Sequence, residues 1–377
     1  MGKLCKRFFS FVAISGTCLA VSTAEAAYTG DRLGLTPLAA ANSNTFALLD
    51  GTIFGWGFDW DDRLGTGLPR ALDRLTPTTV ATLRNVTAIA TGYGHTLALL
   101  PDGTVWTWGK NDVGQLGDGT TVARATPIRV PGLGNIVSIG AGPYASFAIN
   151  ANGTVWAWGL NDQGQLGLGV ASAAILAPRS SYFPPLRSIV GGPNHTLAID
   201  NYAKVWAVGY SGNGQVGSGT WSSVFLPTRL DTITTGVVQI SAGGSHSLAV
   251  DTSGSVWAWG RDLFGQLGDS PVASDSNLPR RLTSISDVRS VAAGNAHSLA
   301  LTNDGKVYAW GRNNERQLGD FTTTDRFVPV PVTSNPAGVT DPMSFITAGD
   351  AHSMAISQHG QLFGWGRGSS GQVRFCH

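Results

Sequence analysis

Cysteine is nearly absent. The chain has three in 377 residues, and two of them, Cys5 and Cys18, lie close to the N-terminus. Beyond these only Cys376 remains, so no intrachain disulfide can staple the body of the chain, which must hold itself by packing. Charge is scarce as well, with 13% charged residues and a net charge of +1. Only five of the 25 basic residues are lysines and none sits in a long basic run, so the electrostatic footprint of a nucleic-acid binder is missing. After the first 26 residues no segment reaches the roughly 20 apolar residues that a membrane-spanning helix needs. Glycine, by contrast, is abundant at 50 residues. Glycine with aromatics and few charges fits many short strands joined by tight turns.

Residues 1–26 read as a secretory leader. Lys3, Lys6 and Arg7 form a positive start, Phe8 to Val21 is mostly apolar, and Ala24-Glu25-Ala26 is a small-x-small cleavage site. The mature chain is then expected to start near Ala27, to carry 22 basic and 23 acidic residues, and to act outside the cytoplasm, secreted or periplasmic. No membrane insertion is expected after cleavage. Residues 27–377 are expected to form one domain.

That expectation rests on a repeat. A Trp-Gly pair, or Val208-Gly209 in its place, recurs with glycines at 57, 109, 159, 209, 260, 311 and 366. A fixed period near fifty residues marks a repeat architecture. Residues 91–130 show the unit most clearly. His95 to Leu100 alternates and is largely apolar, Asp102-Gly103 is a hairpin signal, and Thr104 to Trp108 is β-branched and aromatic. Val86 to Ala90 adds an inner strand, and Pro127 to Val130 an edge strand that tolerates proline. The fourth copy has Tyr202-Ala203 in its turn, which predicts a looser hairpin. Four short strands cannot bury both faces of their sheet alone. Seven such sheets closed in a ring bury both and protect their edges. The expected fold is therefore all-β, a seven-bladed β-propeller of four-stranded antiparallel blades. The competing open solenoid would need polar caps, which are not evident.

The sequence Trp-Gly-x-Asn-x-x-Gly-Gln-Leu-Gly stands at 108–117 and 158–167, with varied forms in the later repeats. An Ala-Gly-x-x-His-Ser-x-Ala segment precedes it, as at 242–249 and 293–300. These motifs closely resemble the regulator of chromosome condensation repeat family, with a bacterial-type exported member as the nearest description. The resemblance implies a seven-bladed propeller over residues 39 to about 373. For function it implies less. The family's founder exchanges guanine nucleotide on a small GTPase, whereas other members do unrelated work, so a fold-level likeness does not carry the activity across. The founder's inserted β-wedge has no evident room in these near-uniform repeats.

Several constellations invite chemistry. His95, His195, His246, His297 and His352 share one repeat position, which Asn44 and Ala145 fill elsewhere. No short-spaced His, Cys or Asp partner accompanies them, so they read as histidines that bond backbone and order their hairpins, not as zinc ligands. Ser245-His246-Ser247 and its equivalents are bound to the repeat, which speaks against a catalytic triad. Asp59, Asp61 and Asp62 read as a solvated loop, too short for a calcium site. The tryptophans recur at strand alternation and read as packing between blades. No catalytic residue, cofactor or metal is expected.

What varies lies after each Gly-Gln-Leu-Gly. Trp60, Tyr210, Trp221, Phe264 and Phe321 break the repeat there, with Arg124, Arg261, Arg312 and Arg326 beside them. Aromatic and arginine side chains of this kind anchor protein interfaces. The sequence thus points to a monomeric, non-enzymatic scaffold that binds an unknown protein partner, and no nucleic acid, through one loop face. Two alternatives are an exchange factor for a small GTPase and a carbohydrate- or substrate-binding module. The seventh repeat also lacks the proline-containing strand. Either Ala27–Leu35 pairs onto that blade, or the blade keeps three strands, or the reading frame is cut short.

Overall fold

The computed structural model describes residues 38–68, 73–80, 82–333 and 341–373. These form seven antiparallel sheets in chain order around a central channel, as the repeat predicts. Blade one comprises Leu38–Ala41, Asn44–Leu49, Thr52–Gly57 and Arg74–Thr79. Blade two comprises Ala88–Thr91, His95–Leu99, Val105–Gly109 and Arg124–Arg129, and blades three to six repeat the pattern up to Arg326–Pro331. Blade seven has three strands, Met343–Ala348, His352–Ser357 and Leu362–Gly366. Inner strands of successive blades touch, and that of blade seven touches that of blade one, so the ring is closed. Ala27–Leu35, the segment expected to help closure, lies outside the described residues, as does the leader.

The apolar face of each sheet is buried against its neighbour, so every core cluster straddles two blades. Leu197, Ile199, Val205 and Ala207 of blade four pack on Val237, Ile240, Ala249 and Trp259 of blade five. The cluster between blades seven and one is thinner, with Leu38, Ala47, Trp56 and Met354 as its buried members.

Each letter of the motif has a physical task. Asn111 Oδ1 accepts the Leu116 N–H at 2.9 Å, and its Nδ2 donates to the Thr120 and Val122 carbonyls, so one side chain braces the whole loop. Leu116 plugs the core with no exposed surface. Gly117 takes φ 72°, and a Cβ there would stand 2.7 Å from Trp158 Nε1, so both backbone and space demand glycine. The Gln115 carbonyl receives Trp158 Nε1–H at 3.0 Å and Ser146 Oγ–H at 2.8 Å from blade three. His95 Nε2 meets the same Ser146 Oγ at 2.9 Å. Because Ser146 donates its proton to the carbonyl, His95 must carry its own on Nε2. The chain of bonds runs His95 Nε2–H to Ser146 Oγ–H to Gln115 O, across the seam.

This clasp recurs at other seams. Gln215, Gln266 and Gln317 carbonyls hold Ser247, Ser298 and Ser353 together with Trp259, Trp310 and Trp365. It also closes the ring. Trp56 Nε1–H and Thr45 Oγ1–H reach the Gln372 carbonyl at 3.1 and 3.3 Å, and His352 Nε2 reaches Thr45 Oγ1 at 3.3 Å. The histidines therefore bond the next blade's hydroxyl, a correction to the reading in which they order their own hairpins. Ala145 and Val208, two breaks in the repeat, fall on one seam. There, among the described residues, Thr196 alone holds the Gln165 carbonyl, and Ser181 and Phe183 fill the space beside Gly167 that tryptophan takes at other seams.

Two further expectations change. The turn of the fourth hairpin is not looser: Ala203 adopts φ 61°, its N–H bonds the Asp200 carbonyl at 3.0 Å, and Asp200 Oδ1 accepts from Tyr202 and Lys204. Asp251 braces the blade five turn in the same way, so Ala203 simply takes the left-handed place that Gly254 holds there. Asp59 and Asp62 are buried, not solvated, because Asp59 Oδ1 accepts the Leu64 N–H and stands in the place of Asn111.

The closing seam can be tested directly. Thr45→Val keeps the shape but leaves the Gln372 carbonyl with one donor and His352 Nε2 with no acceptor. It should cost about 1–3 kcal/mol, the usual loss when a buried polar group goes unpaired. Urea denaturation measures it, and an unmoved midpoint would show that the clasp does not hold the ring.

Candidate partner-binding face

Strands alternate in direction, so connections between strands one and two and between strands three and four emerge on one face of the ring. The opposite face carries the tight hairpins. In blade one Asp50-Gly51 forms a two-residue turn with both residues at positive φ. In blade two a longer turn bonds Gly103 N–H to the Leu100 carbonyl at 3.0 Å. Such turns leave little sequence free to vary. The connections between strands three and four, such as residues 110–123 and 312–325, are the long ones. All nine residues singled out from sequence lie in these connections or on the first residue of the strand that follows, and hence on one face.

They do not form one cluster. Trp60, Trp221 and Phe321 stand at 68, 51 and 73% exposure on three separate blades. Tyr210 and Phe264 are half-buried. Phe264 is covered by its neighbour, with the Arg312 guanidinium 4.8 Å from its ring centroid. Arg124 and Arg326 are committed to their own loops, where Asp118 and Asp320 hold them at 2.6 and 2.7 Å. Arg261 is exposed. The first three aromatics and Arg261 are therefore free to meet a partner, whereas Arg124 and Arg326 brace the surface that presents them.

Sequence reasoning missed two groups. Leu68, Val122, Val170, Leu263 and Val272 are exposed on the same connections, and apolar residues at such variable loop positions were the available signal. The second group rings the channel mouth, at the variable positions inside the otherwise constant Gly-x-x-His segment. Tyr93 and Tyr144 meet edge to face at 5.7 Å, and Lys110 lies 5.9 Å from the Tyr144 ring. Opposite, Arg367 bonds Glu315 at 3.2 Å and stands 3.6 Å from Asp350. Burial raises the Asp350 carboxyl above its usual range against the pull of Arg367 and Arg312. Burial likewise pushes the Tyr93 phenol up, reinforced by Asp350 and Tyr144. The mouth is aromatic on one side and paired-charge on the other. It encloses about 90 Å³, room for a few waters and far below the ~300 Å³ at which ligand pockets begin.

The His–Ser pairs have the spacing of a nucleophile and its base but not the chemistry. Their rings are fully buried, and each serine that a histidine meets spends its proton on a glutamine carbonyl. Burial lowers His195, His246 and His297 to about 3, and His95 and His352 to about 4, so all five are neutral near pH 7. Among the described residues no cluster of three or more His, Cys, Asp or Glu could hold a metal ion.

A closed seven-bladed ring with one conserved-geometry face of tight turns and one variable loop face defines a repeat-propeller scaffold. The RCC1-like domain matches residues 20–269 and, in an overlapping match, 178–375, and the chain belongs to that family. Over 158 residues it is 37% identical to the probable E3 ubiquitin-protein ligase HERC6 of Homo sapiens, covering 39% of this chain and 15% of HERC6. Over 139 residues it is 38% identical to the ultraviolet-B receptor UVR8 of Arabidopsis thaliana, covering 36% of this chain and 31% of UVR8. The chain thus spans well under half of these relatives. The fold superposes on Prp20p of Saccharomyces cerevisiae with a TM-score of 0.77 at 24% identity, covering 89% of this chain and 83% of that one. At that identity the likeness concerns the fold alone.

The buried histidines make stability depend on pH. Their folded values lie below the ordinary 6.5, so the unfolded chain binds more protons between those limits. Stability is then complete above about pH 6.5 and falls as pH drops toward 3, with each histidine costing about 2 kcal/mol at pH 5. Urea midpoints at pH 7.5 and pH 5 should differ widely, and equal midpoints would mean that the rings are protonated at no cost.

Proposed function

We propose that this chain is an exported, non-enzymatic propeller that binds a protein partner through the face bearing the long loops. The observation that carries the reading is the segregation of variation. The clasped seams and tight turns repeat, whereas the exposed aromatics and aliphatics of the strand three-to-four connections gather on one side. Exposed apolar groups on a rigid frame are the usual anchors of an interface, and rigid loops lose little entropy on binding. Separate anchors on several blades suit a broad protein surface better than a small ligand, and the narrow channel mouth supports the same choice. The exchange-factor reading rests on family likeness, and a carbohydrate module would want a larger cleft. Export rests on the pattern of residues 1–26.

A binding comparison tests the reading. A loop-face variant, Trp60→Ser, Trp221→Ser and Phe321→Gly, is set beside Tyr202→Ser, which alters an 85% exposed tyrosine on the hairpin face. Partner recovered by crosslinking and mass spectrometry should fall about tenfold or more for the first and stay level for the second, as expected when anchors worth more than 1 kcal/mol are removed. Equal recovery from both would remove the loop face as the interface. N-terminal sequencing of the extracytoplasmic fraction should find the chain starting near Ala27, and a cytosolic chain with its leader intact would end the export reading.

A further inference from the structure

The loop face is not uniform in charge. Three successive blades place an arginine directly after the Trp-Gly pair: Arg261 in blade five, Arg312 in blade six and Arg367 in blade seven. Phe58, Lys110, Leu160 and Tyr210 fill the position in blades one to four. Each arginine is the first residue beyond its third strand. Its N–H bonds the carbonyl just before the second strand, Ser245, Ala296 or Ala351, at 2.9 Å in all three. The backbone thus launches the three side chains from one geometry on adjacent blades.

The repeat itself shows what an arginine in this place takes. The Arg367 guanidinium bonds Glu315 of the preceding blade at 3.2 Å and stands 3.6 Å from Asp350 of its own. The same two places around Arg312 hold Phe264, whose ring centroid lies 4.8 Å away, and Asn295. Around Arg261 they hold Asn213 and Gly244. Arg312 shares the field of Asp350 with Arg367, and Arg261 makes no ion pair among the described residues. Two of the three arginines therefore lack the carboxylates that satisfy the third. Between them lies Leu263, apolar and 52% exposed.

The outer parts of the same loops carry Asp269, Asp275, Asp320 and Asp325. The arginines are thus a narrow inner row and not a basic field. A nucleic acid, with a charge on every phosphate, would run onto those acids. A few carboxylates set in a protein surface would not. Nor do the chain's own undescribed segments supply the missing charge, since they contain only two acids, Glu25 and Asp31.

We propose, resting on the loop-face reading above, that the partner engages blades five and six through an acid–apolar–acid segment, with its carboxylates on Arg261 and Arg312 and its apolar side chain on Leu263. The carboxylates do for these two arginines what Glu315 and Asp350 do for Arg367. Arginines beside an apolar anchor are the usual composition of a binding hot spot.

The probes are three labelled molecules read by fluorescence anisotropy on the full chain: a Gly-Ser peptide with Glu-Leu-Glu at its centre, the same peptide with Gln-Leu-Gln, and an oligothymidylate. The glutamate peptide should bind about tenfold tighter than the glutamine one, as two ordinary surface charge pairs give. The gap should close in about 1 M salt, where charges are screened within ~3 Å. Arg261→Gln with Arg312→Gln should abolish the preference. Glu315→Gln, which releases Arg367, should tighten the glutamate peptide about threefold, a gain that misfolding cannot mimic. Equal or absent binding of the two peptides, a preference that survives the double arginine variant, or tighter binding of the oligothymidylate would each overturn the proposal. The partner recovered by crosslinking separates this inference from the reading beneath it. Loss with the Trp60, Trp221 and Phe321 variant but full recovery with the double arginine variant keeps the loop face and ends the acidic segment, whereas full recovery with both removes the face itself.

Discussion

One carbonyl per blade organises this molecule. The glutamine of each full motif turns its backbone oxygen into the seam, away from water, where an unpaired acceptor would cost about 1–3 kcal/mol. At most seams the indole and hydroxyl of the next blade pair it and a histidine pairs the hydroxyl in turn, whereas at Gln165 the Thr196 hydroxyl stands without either. The groups are useful only together. Tryptophan without the carbonyl would bury an unpaired N–H, and histidine without the hydroxyl would bury an unpaired Nε2–H. This mutual need ties Trp, Gln, Ser or Thr, and His to one another through most of the repeats. It also gives the ring a polar register that apolar packing alone could not fix, because a slipped blade would orphan several groups at once.

The fold was legible because its strongest constraints are local and repeated. A glycine forced left-handed, a strand with two-residue alternation and a proline at the edge each leave a mark within a few residues. Seven copies make those marks unambiguous. The clasp was not legible, because its partners are about one repeat apart: His95 and Ser146 are separated by 51 residues. Within a single repeat the histidine looks like a hairpin residue, and only the ring shows that it serves the neighbour. For the same reason Ala145 and Val208 looked like two independent exceptions. They are one event, a seam that gave up histidine and tryptophan together and took Ser181 and Phe183 instead. Asp59 misled for a different reason, since charge suggests solvent, and its exchange for the motif's asparagine is visible only from the bond it accepts from Leu64.

The candidate surface was legible to a lesser degree. Aromatics in variable loops were found because they interrupt a pattern, and the topology puts them on one face. Which arginines are free was not readable, since Arg124 and Arg326 differ from Arg261 by an aspartate six residues upstream whose side chain turns back on them. The Gly-x-x-His segments hid Tyr93, Tyr144 and Asp350 for the opposite reason, because their flanks are so constant that the varying residues pass as part of the frame.

The rim and the seam between blades seven and one obey different economies. Around most of the ring the outer strand of one blade locks the loop of the previous one, so each blade is held by its core, its clasp and this contact. At the last seam Gly371 still lies beneath Leu75 of blade one's outer strand, but the core is thin, which leaves the Gln372 clasp with a larger share of the closing work. A ring so arranged opens first at that seam, since local opening follows the fewest buried contacts.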